Sequence, residues 1–265
     1  MRKNFKYEGE QVCYTVTGKG KPVVLLHGFA EDGDVWRYQL DFLQKYCCLI
    51  VPDLPGSGGS AWNPELRTMD DFAGCIYALL QHEGVKQCIM LGHSMGGYIT
   101  LAFAEKYTAV LNAFGFIHST AFADSEEKKQ NRLKGIKMME EYGSYAFIKS
   151  TAPNLFSVAY KQDFAANIEA FIKKGANFKK EALRQYYRAM MERPDRSGIL
   201  RSSIVPVLFI AGEEDIPVPL SDVLKQVYMP DTAYVHILQK TGHMGMWEAT
   251  EAVNTYVLQF IEEID

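Results

Sequence analysis

Short apolar runs alternate along this chain with stretches of helical spacing, and a strand that is apolar on both faces has few places to go. Residues 23–26 (VVLL) are uniformly apolar, as strands buried on both faces of a parallel sheet tend to be. Opening strands are predicted at 6–7 and 12–16, and further strand-like runs at 47–51, 88–91, 113–118, 205–211 and 233–238. Helical spacing lies between them at 35–45, 70–83 and 98–107; in the first, Trp36, Leu40 and Leu43 fall on one side. A final amphipathic helix is expected over 251–261. Strand and helix in turn predict an α/β fold with an eight-stranded, mostly parallel sheet flanked by helices.

One stretch breaks the pattern. From about Asp124 to Arg196 there is no strand signal, only helix-like segments separated by Gly143, Pro153, Gly175 and Pro194. Residues 124–197 carry 15 Lys and Arg against 10 Asp and Glu, although the whole chain is net −4, so the composition shifts here too. The expected organisation is a core of residues 1–118 and 199–265, with a helical cap of residues 119–198 inserted after the sixth strand. An insertion at the carboxyl edge of such a sheet would lie over the crevice where ligands bind.

Bulk properties exclude several classes. Net charge −4 and a pI near 5.9 give no reason to expect nucleic-acid binding. No apolar run reaches the ~18 residues of a membrane span, and the N-terminus shows no apolar h-region of an export signal. The five cysteines (Cys13, Cys47, Cys48, Cys75, Cys88) have neither C-x-x-C pairing nor metal-ligand spacing, which points to a reduced, cytoplasmic setting and no metal site.

Residues 91–97 read LGHSMGG, placing G-x-S-x-G between a predicted strand and a predicted helix. A strand turning sharply into a helix forces its apex residue into strained backbone angles and presses its neighbours together. Gly92 and Gly96 remove side chains that would clash, and the helix N-terminus favours negative charge developing beside Ser94. A hydroxyl needs a base held by a third group to act as a nucleophile. Asp215 follows the strand at 205–211 and His243 follows the strand at 233–238, so both fall at the edge that carries Ser94. Glu213 and Glu214 are rival acids; Asp215 is preferred because Ile216-Pro217-Val218-Pro219 after it suggests a buried loop. Backbone N–H groups of Met95, after the nucleophile, and Phe29, in the loop after the third strand, would form an oxyanion hole.

LLHGF, DLPGSGGS, LGHSMGG, AGEEDIPVP and TGHMGMWE together resemble the α/β-hydrolase superfamily, in its branch of small esterases with a helical cap. The resemblance implies the α/β-hydrolase fold, a Ser94–His243–Asp215 triad, a small-molecule acyl substrate and no cofactor. Ser94 stands where epoxide hydrolases and haloalkane dehalogenases of this superfamily carry an aspartate, and Tyr98 stands where relatives in menaquinone synthesis carry an arginine. A serine hydrolase of small carboxylic esters, or of amides or thioesters, is the leading expectation. Alternatives are a carbon–carbon bond hydrolase or lyase with the same triad, or a ligand-binding receptor on a hydrolase scaffold. The protein is expected to be a monomer or homodimer.

Phe29, Met244 and Met246 are expected to line the substrate pocket, Met138-Met139 and Met190-Met191 to fill the core. His27 and His93 are read as structural partners of their turns, and Asp53 as a turn former. The lysines at 173–174 and 179–180 are read as a solvated face.

Overall fold

The structure, a computed structural model, describes residues 1–264. Eight strands form one sheet: β1 (Arg2–Tyr7), β2 (Glu10–Thr17), β3 (Pro22–Leu26), β4 (Cys48–Pro52), β5 (Cys88–His93), β6 (Leu111–Ile117), β7 (Val207–Gly212) and β8 (Ala233–Leu238). Their spatial order is β1-β2-β4-β3-β5-β6-β7-β8. β2 runs antiparallel to both neighbours, and every other pairing is parallel. The strands buried on both faces are those whose sequences are apolar throughout: Val23 to Leu26, Cys88 to Leu91 and Val207 to Ile210 are all at most 1% exposed.

Register sets the edge that carries the chemistry. Leu26 of β3 aligns with Gly92 of β5, His93 with Ile117 of β6, Ile117 with Ile210 of β7, and Gly212 with Leu238 of β8. The carboxyl ends of five parallel strands are therefore level, and the loops leaving them share one rim. The spatial order also reverses around β3, the kind of switch point at which parallel sheets open a crevice.

Helices α1 (Arg37–Leu43), α2 (Met69–His82) and α3 (Met95–Lys106) pack on the sheet. Helix α2 begins at a capping box, Thr68 and Asp71 satisfying each other's backbone amides. In α3 ten consecutive residues, Met95 to Ala104, are buried, so this helix is apolar all round rather than amphipathic. A helical insertion follows β6: α4 (Glu126–Thr151, broken at Gly143), α5 (Val158–Asp163), α6 (Ala165–Lys174), α7 (Lys180–Glu192) and α8 (Ser197–Arg201). After β7 come α9 (Leu220–Leu224), α10 (Gly245–Glu248) and α11 (Thr250–Glu263).

Charged contacts fasten the insertion to the core. Asp124, fully buried, is shared by Arg132 and Arg193, and the Arg193 guanidinium lies 3.8 Å from the Tyr98 ring centre. Arg196 reaches Asp70 and Glu105. Lys174 does not belong to a solvated face: it bridges Asp32 at 2.6 Å and Asp34 at 3.1 Å across to the loop after β3. No described helix is long and apolar enough to cross a membrane.

Candidate active site

Ser94 sits at the apex between β5 and α3 with φ 50° and ψ −116°, a conformation that costs on the order of 1–3 kcal/mol for a residue with a side chain. The turn closes only because its flanks are glycine. A Cβ on Gly92 would lie 2.2 Å from the Gly96 carbonyl carbon, and one on Gly96 would lie 2.4 Å from the Leu26 carbonyl oxygen. The apex is also tied down: the Ser94 amide donates to the Ile117 carbonyl, and Ser119 Oγ–H donates to the Ser94 carbonyl at 2.7 Å. Ala30 (φ 56°) and His118 (φ 53°) are likewise in the left-handed region, at the ends of β3 and β6. Strain is thus concentrated along the rim.

Asp215 and His243 meet there. His243 Nδ1 is 2.9 Å from both carboxylate oxygens of Asp215, with Asp215 5% and His243 3% exposed. The Val218 amide donates to the same carboxylate at 2.8 Å. Glu213 and Glu214 turn away, accepting from the Lys240 and Val158 amides. Asp215 is the acid that reaches the histidine, although Ile216 after it is exposed and only Val218 is buried. What selects Asp215 is the turn back onto its own carboxylate.

A further histidine was not expected here. His118 Nδ1 lies 2.9 Å from Asp215 Oδ2, and its Nε2 accepts the Gly245 amide at 3.2 Å. Burial lowers His118 to about 4, so near neutral pH it is uncharged with its single proton on Nδ1. Burial alone would raise Asp215; His243 and then His118 outweigh it and hold the carboxyl well below the usual range. The only sequence signal was a histidine closing a predicted strand at the same rim. His118→Ala is expected to lower kcat about tenfold with KM little changed, because Asp215 loses one of the donors that orient it. Steady-state kinetics on a chromogenic ester checks this.

Ser94 and His243 both line a cavity of about 220 Å³, together with Phe29, Ala30, Glu31, Ile148, Thr151, Ala152, Asn154, Leu155, Phe171, Tyr187 and Pro217. Phe29 lies in it as expected, its ring stacked on Tyr187 at 4.3 Å. Met244 and Met246 do not line it. Both are fully buried in the core, Met244 as the N-cap of α10 and Met246 within that helix. Met95 is also buried and opens α3, so its amide is one of the first-turn donors that no helix bond uses. A larger groove of about 450 Å³ lies apart, and within it Arg2 is paired with Asp53 and Lys174 with Asp32.

The insertion also grips the His243 loop. The His243 amide donates to the Leu155 carbonyl at 2.7 Å, and Glu248 accepts the amides of Ser157, Gly242 and Met244. His27 Nε2 accepts the Leu54 amide at 2.9 Å, pinning the loop after β3 to the turn after β4. Asp53 organises that turn, accepting the Gly33 and Gly59 amides. Among the described residues, one group has donor atoms close enough to share a metal ion: His118, Asp215 and His243, within 4.8 Å. The nitrogens facing Asp215 hold protons in this network, so the group is accounted for as hydrogen-bonded.

Residues 21–136 match the family model for the alpha/beta hydrolase fold. A thermophilic esterase from Thermogutta terrifontis superposes with TM-score 0.93 at 26% identity, over 99% of this chain and 98% of that one. The chain has the α/β-hydrolase fold. It is an enzyme of the hydrolase class. Curated relatives include a dihydrolipoyllysine-residue acetyltransferase component of an acetoin cleaving system from Pseudomonas putida, 29% identical over 92% of this chain. The chain spans only 64% of that protein's length. Another is a putative carbamate hydrolase, RutD, of Pantoea ananatis, 28% identical over 78% of each chain. These relatives are named for different activities, so similarity to them does not name the substrate.

Proposed function

We propose that this α/β hydrolase is a serine esterase of small carboxylic esters, acting through Ser94, His243 and Asp215. One observation carries the reading: Ser94, held in a strained turn, opens into the same cavity as a histidine already oriented by a buried carboxylate. His243 Nε2 takes the Ser94 proton as Oγ attacks the ester carbonyl carbon. The carbonyl oxygen gains the negative charge, and the amides of Phe29 and Met95 stabilise it. The intermediate collapses by breaking the bond to the alcohol oxygen, which leaves with the proton from His243. Water then attacks the acyl-enzyme with His243 as base, returning the acid product and Ser94. Asp215 holds the imidazole in the required tautomer throughout, with His118 and the Val218 amide steadying the carboxylate.

Cavity size and lining support a small acyl group. About 220 Å³ is below the roughly 300–1,000 Å³ of sites that take drug-sized ligands. Ile148, Ala152, Leu155 and Phe171 supply apolar walls from the insertion, which on this reading acts as the cap over the site. Among p-nitrophenyl esters, kcat/KM is expected to peak between acetate and butyrate and to fall at least about tenfold by decanoate. No turnover of any ester, or a preference for the long chain, would overturn the reading.

A further inference from the structure

Glu31 and His93 take no part in those acyl-transfer steps, yet both are buried at the same rim, 4% and 0% exposed. Taking a carboxylate out of water is unfavourable unless it is paired and hydrogen-bonded. Glu31 Oε2 accepts the Gly28 amide at 2.7 Å and lies 3.0 Å from His93 Nδ1. The other ring nitrogen, His93 Nε2, lies 3.0 Å from the His243 carbonyl oxygen. A carboxylate and a carbonyl are acceptors only, and a neutral imidazole has a single N–H to give. Satisfying both partners requires a proton on each nitrogen.

We propose that His93 is an imidazolium ion-paired with Glu31, and that this buried pair positions the oxyanion loop and the catalytic histidine. The inference rests on the reading of Ser94 and His243 given above. The pair spans three rim loops. Glu31 holds the Gly28 amide, one residue before the expected oxyanion donor Phe29. His93, next to Ser94, holds the backbone of His243 from the core side, while the Leu155 carbonyl holds it from the insertion. Burial opposes both charges, but each partner outweighs it, placing Glu31 below the usual carboxylate value and His93 above the usual imidazole value.

The charged and titratable groups around the His93 ring are Glu31 from the loop after β3, His118 just after β6, Asp215 from the loop after β7, and His243; His27 acts on Glu31. The ring centres of His93 and His243 are 4.8 Å apart, and that of uncharged His118 is 6.1 Å away. Trp36 meets the ring edge-on and brings no charge. Glu31 lies across the His93 ring from the His243 carbonyl.

Glu31→Gln tests this at nearly unchanged side-chain shape. Glu31 Oε2 serves both partners, so the glutamine turns its amide to set its carbonyl oxygen on the Gly28 amide and its NH₂ group on Nδ1 of a neutral His93, whose Nε2–H keeps the His243 carbonyl. Only the two charges are lost. His93→Asn, too short to span both partners, is expected to lower kcat about tenfold with KM within about twofold; an unchanged kcat overturns the positioning role. The ¹⁵N resonances of the His93 ring give a readout independent of turnover. Both nitrogens should be protonated in the wild type near neutral pH and only one in Glu31→Gln; a neutral wild-type ring overturns the inference. A wild type that hydrolyses no ester would instead defeat the esterase reading, with the ring resonances still deciding the pair.

Discussion

Replacing Ser94 with alanine is expected to lower kcat/KM on p-nitrophenyl acetate by about 10⁴-fold or more, with KM changed little and the fold intact. The size follows from losing the covalent route altogether: what survives is the binding and oxyanion stabilisation that triad variants of serine hydrolases retain. Stability should hold because the Ser94 side chain makes no hydrogen bond that supports the turn; its amide and carbonyl do that, through Ile117 and Ser119. Alanine keeps the Cβ that the φ of 50° already accommodates. Thermal melts of the two proteins should therefore superimpose within about 2 °C on the scale expected for a domain of this size. A variant that keeps a tenth of the wild-type rate would show that the serine is not the nucleophile.

Gly96→Ala should have a large effect on stability. Its Cβ would lie 2.4 Å from the Leu26 carbonyl oxygen and 2.8 Å from that of His27. Both are backbone atoms at the end of a strand buried on both faces, so neither yields as a flexible side chain would. Relief requires α3 to move off the sheet, and α3 is buried along ten residues. The cost is on the order of 4 kcal/mol or more, a large part of the roughly 5–15 kcal/mol that keeps a protein folded. Urea denaturation is expected to show a midpoint far below that of the wild type, or no folded baseline. A midpoint equal to the wild type would mean that the turn is not closed as described.

How much of this was legible in the sequence depended on how local the cause was. The strands were legible because residues such as Val23–Val24–Leu25–Leu26 are buried on both faces and carry that fact in their composition. Ser94, Asp215 and His243 were legible because each stands in a loop directly after a recognisable strand, so sheet order alone brings them to one rim. His118 was read only as a strand ending, since its tie to Asp215 crosses from β6 to β7. Glu31 is 62 residues from His93, and nothing in the HGFAEDGD stretch announces that its carboxylate folds back onto Gly28. Met244 and Met246 were placed in the pocket because they neighbour His243; the short helix α10 turns them into the core instead. Lys174 was read as solvated because its partners, Asp32 and Asp34, are about 140 residues away across the insertion. Pairings made by the insertion leave no local periodicity to read.

The central claim is that Ser94 is an activated nucleophile facing an accessible cavity. A fluorophosphonate, which phosphonylates an activated hydroxyl with loss of fluoride and modifies no residue by binding alone, is the probe, with peptide mass spectrometry locating the adduct. The account predicts one phosphonyl group per chain, on the peptide containing Ser94, formed at a rate that falls with the protonation of His243. An unmodified Ser94 after prolonged exposure, or an adduct on another residue, would contradict it.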